Sequence, residues 1–307
     1  MSAPAALPAA TPAATLPILA LMVNALVWGL SWWPFRLLHT TAGLHPLWAT
    51  VLVFVLATLV LLAWRPGGLR QLATQPQLWI LSLAAGSTNA AFNWGVSTGD
   101  VMRVVLLFYL MPLWSALFAR VLLHERFTTR TVLRMVLALG GAAIVLKPPG
   151  ADWPLPGSLS DWLGLFGGLC FAFNSVMLRR MAPHTREEGR AVAMLLGGIL
   201  TAGALATLLS AGGSIAWPPA PQPQWLLVVG MLGGLFLVSN LAYQYGAARL
   251  PAAVTSVVML TEVAFASGSS VAFGSAVLTP QVLLGGALIV AAAAMAALGP
   301  GRSGEAG

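Results

Sequence analysis

The sequence predicts an all-α integral membrane protein: ten transmembrane helices built as two inverted five-helix repeats, with both termini on the cytoplasmic side. Three observations predict it: the composition, the length of the apolar runs, and the uneven distribution of basic residues among the loops. Of 307 residues, 58% are hydrophobic and 7% are charged, with a mean hydropathy of +0.86. Soluble domains carry about a quarter charged residues, so this chain cannot cover a water-facing surface. Apolar runs fall at 16–38, 45–64, 78–98, 101–123, 131–147, 162–179, 191–211, 225–247, 252–274 and 279–298. A bilayer core of ~30 Å needs about 20 helical residues, with ~17 as the lower limit. Transmembrane barrels show alternating segments of ~10 residues instead, so these continuous runs favour helices.

Orientation follows from the loops, because cytoplasmic loops collect Lys and Arg near the span ends. With the N-terminus inside, the inner set is Arg65, Arg70, Arg120, Arg126, Arg130, Arg134, Arg179, Arg180, Arg186, Arg190, Arg249 and Arg302. The outer set is Arg36, Arg103 and Lys147. The formal charge of +7 is thereby explained by orientation rather than by nucleic-acid binding. Residues 1–15 are read as a flexible Ala/Pro tail and 299–307 as a C-terminal tail. The outer connectors are rich in Pro and Gly. Trp162 and Trp225 at the following spans suit the headgroup level, and Ser160 or Asp161 suits the cap of the sixth helix.

The two halves, 16–147 and 161–298, match where residues are least generic. "TNAAFNWG" (Thr88 to Gly95) pairs with "SNLAYQYG" (Ser239 to Gly246) at a shift of 151. "WGLSWWPFR" (Trp28 to Arg36) pairs more weakly with "FAFNSVMLR" (Phe171 to Arg179) at a shift of 143. Five spans per half is an odd number, so the halves enter the membrane in opposite senses, a build common among secondary transporters.

These features resemble the drug/metabolite transporter superfamily of the EamA type. The resemblance rests on the first-span "WGLSWWPFR" and on the fourth-span elements Leu110-Met111-Pro112 and His124-Glu125-Arg126-Phe127-Thr128. It implies a ten-helix fold whose spans 1, 3, 4, 6, 8 and 9 surround a central cavity. Shifted by 150, Pro112 falls on Glu262, and Glu125-Arg126 falls on Ser275-Ala276. The proline and the loop glutamate usual for the second repeat are therefore missing.

Candidate pathway residues come from the polar and aromatic positions inside the runs. Residues four apart share a helix face, which puts Asn89 with Asn93 and Asn240 with Gln244, Tyr243 beside them. Amides both donate and accept, so they suit a solute that sheds water, or else they bond each other as helix–helix glue. Ser31 and Trp32 on span one, Tyr109 on span four and Asn174 on span six complete the set. Arg36 and Arg103 either snorkel to outer headgroups or pair inward, with Asp100 a local competitor for Arg103. Gly164/Gly168 and Gly230/Gly234 are expected to let helices approach closely.

Glu262 is the one carboxylate near the middle of a span. Facing lipid as an anion, it would be unfavourable by about 2.5–3.5 kcal/mol. It therefore faces a cavity or carries a proton, as a titrating group of a transport cycle. The alternatives are a structural hydrogen bond to an amide of span eight, or a fixed pairing with Arg103 or Arg36. The lone Cys170 excludes an intramolecular disulfide, and no nucleotide loop, HExxH or nucleophile–base pair is present. The expectation is a non-enzymatic, cofactor-free and metal-free secondary transporter of small organic metabolites in the inner membrane. Protons are a candidate coupling ion, and family resemblance points to export of amino acids or related compounds. Uptake of a vitamin or aromatic compound, and a non-transporting scaffold or lipid-handling protein, are the alternatives.

Overall fold

Within a bilayer every backbone N–H and C=O has to be satisfied inside the protein, which leaves helices for runs this long. The computed structural model describes residues 12–122, 128–146, 155–247, 249, 258–275 and 278–297, and these contain no strand. The helices are α1 (Pro12–Ala42), α2 (Pro46–Trp64), α3 (Gly67–Thr74), α4 (Leu78–Thr98), α5 (Val101–Phe108), α6 (Met111–Leu122) and α7 (Thr129–Leu146). They continue as α8 (Leu159–Met181), α9 (Glu187–Ala211), α10 (Pro223–Ala247), α11 (Thr261–Ala272) and α12 (Pro280–Ala297). Among the described residues, six stretches are long and apolar enough to cross a membrane: Thr15–Ala42, Pro46–Trp64, Val101–Leu122, Leu159–Leu178, Glu187–Ala211 and Pro223–Tyr243.

Three departures from the sequence expectation have physical reasons. The helix expected from residue 16 begins at Pro12, because proline is preorganised for a first helical turn. The fourth run is broken into α5 and α6. The sixth helix is capped by Ser158, whose hydroxyl accepts from the Asp161 N–H at 3.1 Å, not by Ser160 or Asp161. The first part of the ninth run, the His124-Glu125-Arg126-Phe127 motif and both chain ends lie outside the described residues. Trp162 is exposed, as an interfacial residue would be, whereas Trp225 is buried and donates to the Ala220 carbonyl at 3.3 Å.

α4 sits at the centre, packed between α8 and α9, and this accounts for its polarity. Fourteen of its 21 residues are buried, so Ser82, Thr88, Asn93 and Ser97 face protein rather than lipid. Around it, α1 packs along α10 and α11, α2 along α9, α7 along α12, and α5 and α6 along α8. Without a hydrophobic drive between helices in lipid, close backbone contact has to hold such crossings. At the α4–α9 crossing, a Cβ on Gly197 would run into the Ser82 carbonyl. At α7–α12, a Cβ on Gly141 would lie 2.6 Å from the Gly285 carbonyl. Gly164 and Gly168 of α8 receive the Val104 and Phe108 carbonyls of α5, as their spacing suggests. Gly230 and Gly234 do not pack this way: among the described residues nothing lies within 4 Å of a Cβ added at either.

At the α1–α2 turn, His45 caps α2, its Nδ1 accepting from the Leu47 N–H at 3.3 Å. Burial, reinforced by the neighbouring His39, pushes its imidazole down to about 4. The neutral cap is therefore favoured in the folded state, and its contribution is lost as pH falls from about 6.5 through about 4. Thermal melts should show a smaller acid-induced drop for His45→Asn, which keeps a capping acceptor without titrating, than for the wild type. Equal drops for both proteins would remove His45 from the acid response.

Candidate functional site

The site is built on two broken helices. Pro112 has no N–H, so the Phe108 carbonyl loses its partner one turn on. The chain responds by ending α5 at Phe108 and restarting at Met111, with Leu110 N–H closing onto Leu107 at 3.2 Å. The Phe108 carbonyl then rests on Gly168 of α8. The ninth run has no proline, yet it breaks at Leu260, the residue that α11 follows. Thr261 Oγ donates to the Val258 carbonyl at 2.7 Å, which satisfies one acceptor at that break.

The two breaks face each other. Tyr109, just past α5, is 2% exposed, and Glu262, in the first turn of α11, is 7% exposed. The Tyr109 hydroxyl lies 3.1 Å from the Met259 carbonyl and 3.1 Å from Glu262 Oε2, so one hydrogen serves two acceptors. No other hydrogen bond or ion pair reaches the Glu262 carboxyl among the described residues. The bond expected from an amide of span eight is made instead by a tyrosine of span four. The reason is proximity: α11 packs on α5 and α1.

α1 forms the opposite wall. A Cβ on Gly29 would lie 2.9 Å from the Glu262 backbone carbonyl and 2.7 Å from Phe265 Cβ, so glycine lets α1 approach the first turn of α11. One turn on, Trp32 Nε1 donates to Ser269 Oγ at 2.9 Å, which fixes the indole by a hydrogen bond. Trp28 meets Phe236 edge-on at 4.6 Å and Phe92 at 6.0 Å. Phe92 meets Phe108 at 4.9 Å, and Phe108 continues to Phe171 at 5.5 Å and Tyr109 at 6.1 Å. A chain of rings thus runs from α10 through α1 and α4 to the Tyr109–Glu262 pair.

The amides are dispersed. Asn93 is fully buried and donates to Thr50 Oγ of α2 at 3.1 Å, which makes it a tie between helices, while its Oδ1 has no partner among the described residues. Asn89 is half-buried, three residues before Phe92 in the ring chain. Asn174 is buried, and among the described residues neither its Oδ1 nor the Trp114 Nε1 has a partner. Asn240 is half-buried and Tyr243 is 37% exposed; the Gln244 side chain lies outside the described residues. Ser31 turns back onto its own helix, donating to the Trp28 carbonyl at 2.8 Å. The sequence reading missed Asn24, whose amide donates to Ser239 Oγ at 2.7 Å and to the Ser239 carbonyl at 3.0 Å. The available signal was an asparagine inside the first apolar run.

Neither arginine bonds Glu262. Arg103 forks onto Asp161, with Nε to Oδ1 at 2.7 Å and the terminal nitrogen to Oδ2 at 3.0 Å, and also donates to the Val145 carbonyl. Arg36 donates to the Val96, Ser97 and Gly99 carbonyls at the end of α4 and lies over the Trp32 ring at 5.0 Å. Its charge answers the negative end of that helix.

Residues 15–147 match the EamA-like transporter family. The likeness is confined to that segment, 133 of the 307 residues. A solved crystal structure is 21% identical and aligns over 92% of this chain and 96% of its own length, with a TM-score of 0.55. At that identity the likeness speaks to the fold alone. No curated protein matches the chain. The matched segment carries Trp28, Phe92, Phe108 and Tyr109, most of the ring chain. Glu262 lies beyond the matched residues and is contributed by the second half of the chain.

Proposed function

We propose that the protein is a secondary carrier of small organic solutes that works by alternating access, with Glu262 as its proton-coupling group. The observation that carries this reading is the meeting of two helix breaks at a buried tyrosine–carboxylate pair. Broken spans supply backbone dipoles and side chains near mid-membrane, where carriers bind their solutes. The contacting residues Tyr109 and Met259 are 150 apart, the same shift that pairs Pro112 with Glu262. That register supports two inverted five-helix repeats, as does the packing of α8 on α4 beside that of α1 on α10. On this reading ten spans cross the inner membrane with both termini cytoplasmic. The titratable group facing Glu262 from α5 is Tyr109, and from α1 Gly29 lies against its backbone carbonyl. Arg103 and Arg36 are engaged elsewhere.

The direction is export of amino acids or related metabolites, in keeping with the EamA-like half. The ring chain favours solutes with a planar apolar part over fully polar ones. Proteoliposome counterflow with a panel of amino acids, vitamins and aromatic compounds tests this. At least one solute should exchange faster than in empty liposomes, and its rate should respond to an imposed pH gradient. A panel with no exchange above empty liposomes would favour the scaffold reading.

A further inference from the structure

We propose that the groove between the start of α4 and the end of α8 binds an anionic phospholipid. It has a volume of about 380 Å³ and is lined by Gln77, Ile80, Met177, Arg180, Met181 and His184. That volume lies in the range of ligand clefts, roughly 300–1,000 Å³. The inference rests on the chain crossing a bilayer and does not depend on what it transports.

The polarity of the lining is ordered along the axes of α4 and α8. Arg180, His184 and Gln77 form the rim, at the end where α8 finishes and α4 begins. Ile80 and Met177 lie three residues further into their helices, about 4.5 Å deeper at the helical rise. Ile80 is 44% exposed, whereas Met177 and Met181 are nearly buried and supply a floor. A cation at the rim with apolar surface just below is the complement of a phosphodiester with its first acyl carbons. A guanidinium matches phosphate oxygens in a two-pronged geometry that an ammonium lacks.

The rim side chains of Arg180 and His184 are also uncommitted. Arg180 and His184 are exposed and have no hydrogen bond or ion pair among the described residues. Two other arginines at this end are engaged: Arg65 pairs with Glu188 at 3.5 Å, and Arg190 donates to the Thr185 hydroxyl at 3.2 Å. No acidic side chain lines the groove to compete for the phosphate. Basic pockets between spans on the cytoplasmic side bind anionic headgroups in this way.

The test is thermal melting of the full-length protein in detergent, with added dioleoyl-phosphatidylglycerol or dioleoyl-phosphatidylcholine. Phosphatidylglycerol should raise the midpoint more than phosphatidylcholine does. The doubly substituted R180Q/H184Q should lose most of that difference, while R70Q, an exposed arginine off the groove, should keep it. The lipid-free melt of each variant reports whether it is folded. Three results overturn the site: no headgroup preference in the wild type, a full preference retained by R180Q/H184Q, or the same shift from inorganic phosphate alone.

Discussion

Glu262→Gln is expected to reduce pH-gradient-driven solute flux in proteoliposomes by roughly 100-fold, the scale of removing one positioned proton-transfer group. Glutamine keeps the side-chain length and an oxygen that can accept from Tyr109, so the contact at 3.1 Å survives. What it loses is the exchangeable proton. Because α1 and α11 approach through Gly29 beside the Glu262 carbonyl, a larger or β-branched replacement would disturb the wall, and glutamine does not. The counterflow of solute without a pH gradient separates the two roles of the site. Flux that persists in counterflow but no longer follows the gradient identifies a coupling group. Loss of both means the carboxylate binds solute directly, and a retained gradient response removes Glu262 from coupling altogether. Tyr109→Phe is the milder companion, removing one hydrogen bond of about 1 kcal/mol, or roughly fivefold.

How far this site was legible can be judged residue by residue. Pro112 announced its break, because a missing N–H is a property of one residue. The break at Leu260 had no such signal, since it lies where two helices meet and no proline marks it. Glu262 stood out because a carboxylate in an apolar run is costly wherever it points. Its partner could not be read, as the tyrosine is 153 residues away. Most helix boundaries among the described residues fall within a few residues of the apolar runs, since the runs end where turn residues begin. α3 was not foreseen, because eight residues lying between spans carry no length signal. The amide stripes show the limit of periodicity: a shared face says nothing about which neighbour occupies it, and for Asn93 the neighbour is Thr50. Arg36 found helix-end carbonyls, acceptors that every helix terminus exposes and no sequence pattern displays.

Arg103→Ala and Asp161→Ala are each expected to destabilise the protein by about 3 kcal/mol, and the double variant by little more than either one. The sequence offered Asp100 as the partner of Arg103, three residues away. The structure explains why it is not: the Asp100 side chain caps α5, accepting from the Arg103 backbone N–H at 3.0 Å. The guanidinium is then free to reach α8, where the Asp161 side chain is 4% exposed against 25% for Arg103. Asp161 also accepts from the Gly157 N–H at 2.9 Å, so its loss orphans a backbone donor as well as a charge. Arg103 in turn holds the Val145 carbonyl at the end of α7. One ion pair therefore ties three helix ends, and each single substitution leaves a charged group with its partner gone. The cost falls on folding because this end of the bundle is held by polar contacts, Thr98 to Ser160 at 3.3 Å among them. A double-mutant cycle of melting free energies should give a coupling of about 1.5–3 kcal/mol. Additive effects of the two substitutions would mean that each residue acts through its backbone partners and that the ion pair itself contributes little.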